Sequence, residues 1–482
     1  MNRPFQLGSF LRTSVLATLA FAAVSVPTRA DITIFLEEPY ALDGELAGTG
    51  HTAVYLSNVC ADTPTVLRRC EPGETGIVLS RYHRIAGYDW LAIPLLPYLY
   101  AVERPEDIPL FADSKIEAAM RDAYRRKYLE ALVPDGPEGE PPRGDWYELI
   151  GSAFDRTLYG FQLATSPEQD DAFIALYNAR PNHQAYKLVT SNCADFVRNV
   201  VNFYYPKAAT RSFLADLDVA TPKHVAKSVV HYAHHHPDVA FTAYVIPQIP
   251  GKVKRSTPVH GVVDSVFKAK KYEIPLLVFH PFVGGGFAVA YAVSGRFNPA
   301  QNAKMYSPDG SLEVPLTKAE RRAYAKSLEE MLREEDAVVA YQRDSATNSA
   351  TNSATWREVQ AKAVFAPDAA GYPALSMPQE EYVSLANASF SPANTQSVGL
   401  SIAQPTMMVI GLTRENILAS TAPAAFTRDL LVTRLRQELS AGTSPHTSER
   451  QFRADLTLLE NLFVVQQNQT IAGGSFMRSA ER

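Results

Sequence analysis

The apolar residues Phe196, Val197, Val200, Val201 and Tyr204 recur at i, i+1, i+4, i+5 and i+8, one face of an α-helix. Ser191 and Asn192 immediately before them are residue types that cap a helix N-terminus, so the pattern predicts a helix beginning at Cys193. Residues 184–190 read as the strand that delivers it. Earlier in the chain the period shortens. Ile32–Leu36 reads as a strand, and Gly48–Ser57 as glycines opening a second one, with His51 at its start. Thr75–His83 reads as a third strand, paired with the second as an antiparallel hairpin carrying one histidine on each arm. A proline-punctuated apolar segment covers Trp90–Val102, a helix Ser114–Leu132, and a surface loop Val133–Gly144. Phe154–Thr165 is strand-like. Ser166–Pro–Glu–Gln169 opens a helix with a capping box and proline at its first position, and Thr221–Pro222 opens another that runs to about His236.

The second half is less patterned. Residues 246–258 read as a linker, Lys318–Asp336 as a strongly charged helix, and 345–355 as a low-complexity loop built on a four-residue repeat. Short β-like runs fill 361–412, and helices Pro423–Leu439 and Ser448–Gln467 close the chain. Residues 274–295 carry no formal charge and are numerous enough to cross a bilayer. Pro275, His280, Pro281 and the glycines 284–286 argue against a span, as do Lys268, Lys270 and Lys271 on the side that export would leave outside. The segment reads as buried or in contact with a membrane.

Composition changes the picture at the N-terminus. Arg3 and Arg12 precede an apolar run at 15–24, and Thr28–Arg–Ala30 has small residues where a signal peptidase cuts. Residues 1–30 therefore read as a cleaved secretory signal, which implies a periplasmic or secreted protein, with membrane association through 274–295. Cleavage removes three of 46 basic residues against 51 acidic ones. An acidic exported chain without basic clusters is a poor nucleic-acid binder.

Export also changes how three cysteines are read. Cys60 and Cys70 bracket a short loop and suit a disulfide in an oxidising compartment, which leaves Cys193 as a reactive thiol or a crosslink site. At a helix N-terminus a thiol meets free N–H donors and the positive end of the dipole, both of which favour thiolate. The competing reading is a buried structural cysteine. His231 and His235, spaced i, i+4 within a run of five histidines, could hold a metal. No cysteine or well-placed glutamate completes a site, and the run reads as a solvated helix end. Neither a metal nor another cofactor is called for, and the triple glycine does not follow a phosphate-loop pattern.

The Gly50–His51–Thr–Ala–Val–Tyr55 strand followed by Asn192–Cys193–Ala–Asp–Phe196 at a helix start resembles the circularly permuted papain-like thiol hydrolases. That superfamily includes NlpC-type cell-wall peptidases and lecithin–retinol acyltransferase-like proteins. The resemblance covers about residues 31–236. It implies an α+β fold, an antiparallel sheet packed on helices in a domain spanning 31–245. A linker and apolar segment (246–300) and a C-terminal α+β accessory region (301–482) would follow. It also implies Cys193 as nucleophile, His51 as base and His83 as the group orienting the base, with Ser80 or Arg81 as substitutes for His83. The Cys193 main-chain N–H and the Asn192 side chain would form the oxyanion hole. The expected activity is hydrolysis of an amide, peptide or ester through a thioester, on a cell-envelope peptide, amide or lipid. An acyltransferase on the same residues and a non-catalytic scaffold with the same fold are the alternatives.

Overall fold

Six of the seven residues of strand β1 (Asp31–Glu37) are buried, the signature of a strand covered on both faces. In the computed structural model it lies at the centre of an eight-stranded sheet. The structure describes residues 30–40, 49–83, 85–183, 186–187, 189–268, 278–294, 297–345, 356–388, 407–421, 424–440 and 446–480. All but Ala30 of the signal read in residues 1–30 lies outside these, as do residues 184, 185, 188, 274–277 and 295 and most of the low-complexity loop.

One side of β1 pairs with β2 (His51–Leu56), and β2 with β5 (Ile77–Ser80) and β5 with β6 (Leu91–Pro94). The other side pairs with β7 (Leu158–Ala164), followed by β8 (Phe241–Ile246), β9 (Lys304–Tyr306) and β10 (Leu312–Glu313). All pairings are antiparallel except β8 with β9. A small hairpin, β3 (Val59–Thr63) with β4 (Val66–Arg69), interrupts the β2–β5 connection, and the predicted Cys60–Cys70 disulfide closes it with Cα atoms 4.8 Å apart.

The helices in order are α1 (Leu95–Tyr100), α2 (Ser114–Tyr124), α3 (Ser152–Asp155), α4 (Pro167–Ala179), α5 (Cys193–Tyr204), α6 (Phe213–Asp216), α7 (Pro222–His235) and α8 (Val262–Lys268). α4 starts with the expected capping box, Ser166 and Gln169 bonding each other's main chain. α5 buries the five residues that predicted it, and burying each contributes about 1.5–3 kcal/mol. In the described part of 184–190, where a strand was expected, Lys187 forms an isolated bridge with Ser191, the N–H and C=O groups of the two bonding each other.

The alternation along the strands divides the core. Ile32, Ile34, Leu36, Val54, Leu56 and Leu79 face α5 and α7. Phe35, Ala53 and Val78 face the other way, toward α1, α2 and a three-stranded sheet of β11 (Val364–Pro367), β12 (Pro373–Pro378) and β13 (Met407–Gly411). Residues beyond 300 thus supply two strands of the main sheet and part of its core. The fold is α+β. The stretch after β8 is docked: Ile249, Lys252 and Thr257 donate main-chain bonds to Ala153, Ala112 and Pro39. Helices 318–345, 424–438 and 449–480 form a third cluster around Leu431, Leu435 and Leu459.

Candidate functional site

Register delivers His51. It is the first residue of β2, directly opposite Glu37 at the end of β1. Gly50 turns the chain into the strand with φ +65°, and a Cβ there would lie 2.1 Å from the Glu37 carbonyl oxygen, so glycine is required. The imidazole is buried, stacked on the Tyr82 ring at 4.2 Å, and its Nε2 lies 2.8 Å from Ser80 Oγ. Burial, with the Arg156 charge second, holds His51 well below the ordinary 6.5, so the ring is neutral.

Capping delivers Cys193. Asn192 Oδ1 accepts from Asp195 N–H at 2.9 Å, and Asn192 Nδ2 donates to the Ala220 carbonyl at 2.9 Å. The amide expected to serve an oxyanion is therefore occupied as the helix cap. Cys193 is the first residue of α5 and 8% exposed. Its sulfur faces the N–H groups of Thr52 and Ala194. Burial outweighs these donors and pushes the thiol up to about 12, with Glu37 adding to the rise and Arg81 opposing it. The dipole argument from sequence gave the right direction for one contribution; desolvation is larger.

The two residues approach β2 from different sides. α5 packs on the face of Val54 and Leu56, whereas His51 shares its face with Ala53 and Glu37. Pairing of β2 with β5 stops at Val54, and the Cys193 sulfur lies at the Thr52 N–H just beyond it. His51 and Cys193 thus sit at adjacent positions of one strand end. Among the described residues, the ring bonds Ser80 rather than the thiol.

His83 lies past the end of β5, exposed, with its ring 5.7 Å from Tyr186. Burial, and after it the nearby Cys193, raise the Tyr186 phenol above its ordinary range. Ser80, the last residue of β5, takes the contact with His51 that the hairpin pattern assigned first to His83. Arg81 holds the cysteine turn: it pairs with Asp89 at 2.7 Å, donates to Ser191 Oγ at 3.1 Å and to the Asn192 carbonyl at 3.3 Å, and lies over the Phe196 ring. Beneath His51, Glu37 accepts from Tyr98 Oη and faces Arg156 at 3.7 Å, and Arg156 reaches Glu148 at 3.1 Å. Burial pushes the Glu37 carboxyl up to about 7, opposed chiefly by Arg156. No sequence motif marked Glu37, Tyr98 or Arg156.

The histidine run closes α7: His235 Nδ1 and His236 Nδ1 bond the carbonyls of His231 and Tyr232, each at 2.8 Å. Among the described residues, the one cluster with metal-ligand spacing is Cys60, Cys70 and Glu74, and its two sulfurs are consumed by the disulfide. A cavity of about 940 Å³ opens near the other end of β2, lined by Asp31, Tyr55, Tyr244 and Tyr306; neither Cys193 nor His51 borders it. No family model matches the chain, and comparisons with curated proteins and with solved structures found no match.

Proposed function

We propose that the chain is an exported cysteine hydrolase with a permuted papain-like core, acting on an amide, peptide or ester of the cell envelope. The observation that carries this reading is the His51–Ser80 contact of 2.8 Å at the strand end where the Cys193 sulfur meets the Thr52 N–H. In the tautomer that donates from Nε2–H to Ser80, Nδ1 keeps a lone pair and can accept a proton. Both groups start neutral. His51 takes the thiol proton as sulfur attacks the carbonyl carbon, once thiol and ring tighten into hydrogen-bond range on substrate binding. The main-chain N–H of Cys193, at the start of α5, receives the oxyanion. Collapse of the tetrahedral species breaks the C–N or C–O bond, and His51 passes its proton to the leaving group. Water, activated by the same ring, cleaves the thioester and restores the thiol. An amine or alcohol in place of water makes the same site an acyltransferase.

Burial of Cys193 and its upward-shifted thiol favour a second reading, a binding protein that retains the fold without turnover. Mass spectrometry after incubation with envelope peptides and model thiol-reactive esters separates the two. A hydrolase accumulates an acyl adduct on Cys193 and loses it in His51→Ala. A chain that forms no adduct with any of them, and whose Cys193 labels with iodoacetamide equally in wild type and His51→Ala, is not a hydrolase.

A further inference from the structure

Among the described residues, eight of the fifteen exposed large apolar side chains belong to two neighbouring pieces of chain, 213–217 and 278–289. Phe282 is 95% exposed, Phe279 76% and Phe213 72%; Leu214, Leu217 and Val283 are also exposed. These pieces form one surface. α6 packs on both α8 and the helix Pro281–Ser294, and the Val262 N–H at the start of α8 donates to Asp216 Oδ1 at 2.8 Å. An apolar patch of this kind on a water-facing surface marks an interaction site.

The character of the patch selects its occupant. Pro281–Ser294 contains no ionisable group except the Tyr291 phenol, and apolar residues surround its axis. A groove on a partner protein would cover one stripe of such a helix, whereas acyl chains can surround it. Its 14 residues rise about 21 Å, short of the ~30 Å hydrocarbon core. Among the described residues no helix is long and apolar enough to cross a membrane. The charge flanking the run along the sequence suits anionic headgroups: Lys268, Lys270 and Lys271 outnumber Glu273 before it, and Arg296 follows it. Beside the patch, Asp264 is paired with Lys223, and Asp218 lies 3.9 Å from Arg211.

We propose that this surface is a docking site for an anionic lipid bilayer, entered from one side without crossing it. The proposal stands apart from the hydrolase reading. Arg211, two residues before α6, bonds Asp195 in the first turn of α5 at 2.6 Å. Docking therefore holds the helix that begins at Cys193 near the headgroups.

Flotation of the full chain with phosphatidylcholine vesicles, and with vesicles also containing phosphatidylglycerol, tests it. The wild type is expected to float with the mixed vesicles and less with phosphatidylcholine alone. Phe279→Ser/Phe282→Ser lowers the apparent partition coefficient on the order of tenfold or more, and Phe213→Ser/Leu217→Ser lowers it as well. All four side chains are solvent-exposed, so circular dichroism should be unchanged. Wild type that stays in the aqueous fraction with both vesicles overturns the proposal, as do double variants that float like wild type. Equal flotation with both vesicle types overturns the anionic preference it asserts. A wild-type dimer that does not float, and that both double variants convert to monomer, assigns the surface to a second copy and overturns it too.

Discussion

Ser80 Oγ, one residue past Leu79, the last β5 residue paired with β2, stands 2.8 Å from His51 Nε2. In the tautomer that donates Nε2–H to this hydroxyl, the other ring nitrogen keeps its lone pair. Ser80→Ala should lower the iodoacetamide labelling rate of Cys193 at neutral pH roughly tenfold, with Ser80→Thr restoring part of it. The cost in stability should be only about 1 kcal/mol, the ordinary net worth of one hydrogen bond. Labelling that is unchanged across the pH range would show that the contact has no role in tuning the base.

The neutral state of both partners sets a pH signature. His51 is held below 6.5 and Cys193 near 12, so base-assisted labelling should persist into mildly acidic solution. In His51→Ala the same thiol should react appreciably only as pH climbs toward its own ionisation. A pH–rate profile of both proteins checks this.

Glu37 predicts a stability change of the opposite sign from an ordinary ion-paired carboxylate. Its carboxyl rises from 4.5 to about 7 on folding, so its contribution is complete below pH 4.5 and is lost as pH rises through 7. Denaturant titrations of wild type and Glu37→Gln should therefore diverge over that window in favour of the variant, by roughly 3 kcal/mol at most. A difference that stays constant from pH 4 to about 8 would contradict a raised carboxyl.

Arg81 is a positioning residue. Arg81→Met leaves the partly buried Asp89 carboxylate without this partner and frees the turn at Ser191 and Asn192, and should cost about 2–3 kcal/mol. Adding Asp89→Leu should recover much of the stability but not the labelling rate of Cys193, because the turn remains untied. Recovery of both would assign Arg81 to stability alone.

Thiol counting addresses the remaining cysteines. Denatured, unreduced protein should yield one titratable thiol, from Cys193, and three after reduction. The short loop spanned by Cys60 and Cys70 makes the expected loss of stability on reduction about 2–3 kcal/mol.

What the chain alone disclosed is what short-range physics encodes. The i, i+4 spacing on α5, the Ser166 capping box, the Thr221–Pro222 start of α7 and the glycine before His51 each depend on residues within a turn or two. The Cys60–Cys70 disulfide followed from the cysteine count, their spacing and an expectation of export. Tertiary structure decided which partner meets which. Strand register gave His51 to Ser80 and set His83 beside Tyr186; helix capping consumed the Asn192 amide; β9 and β10 joined the main sheet from beyond residue 300. Burial, which no local pattern reports, reversed the expected charge of Cys193 and gathered Glu37, Tyr98 and Arg156 beneath the imidazole. Local periodicity is written in neighbours along the chain, whereas desolvation and long-range pairing depend on groups that only folding brings together.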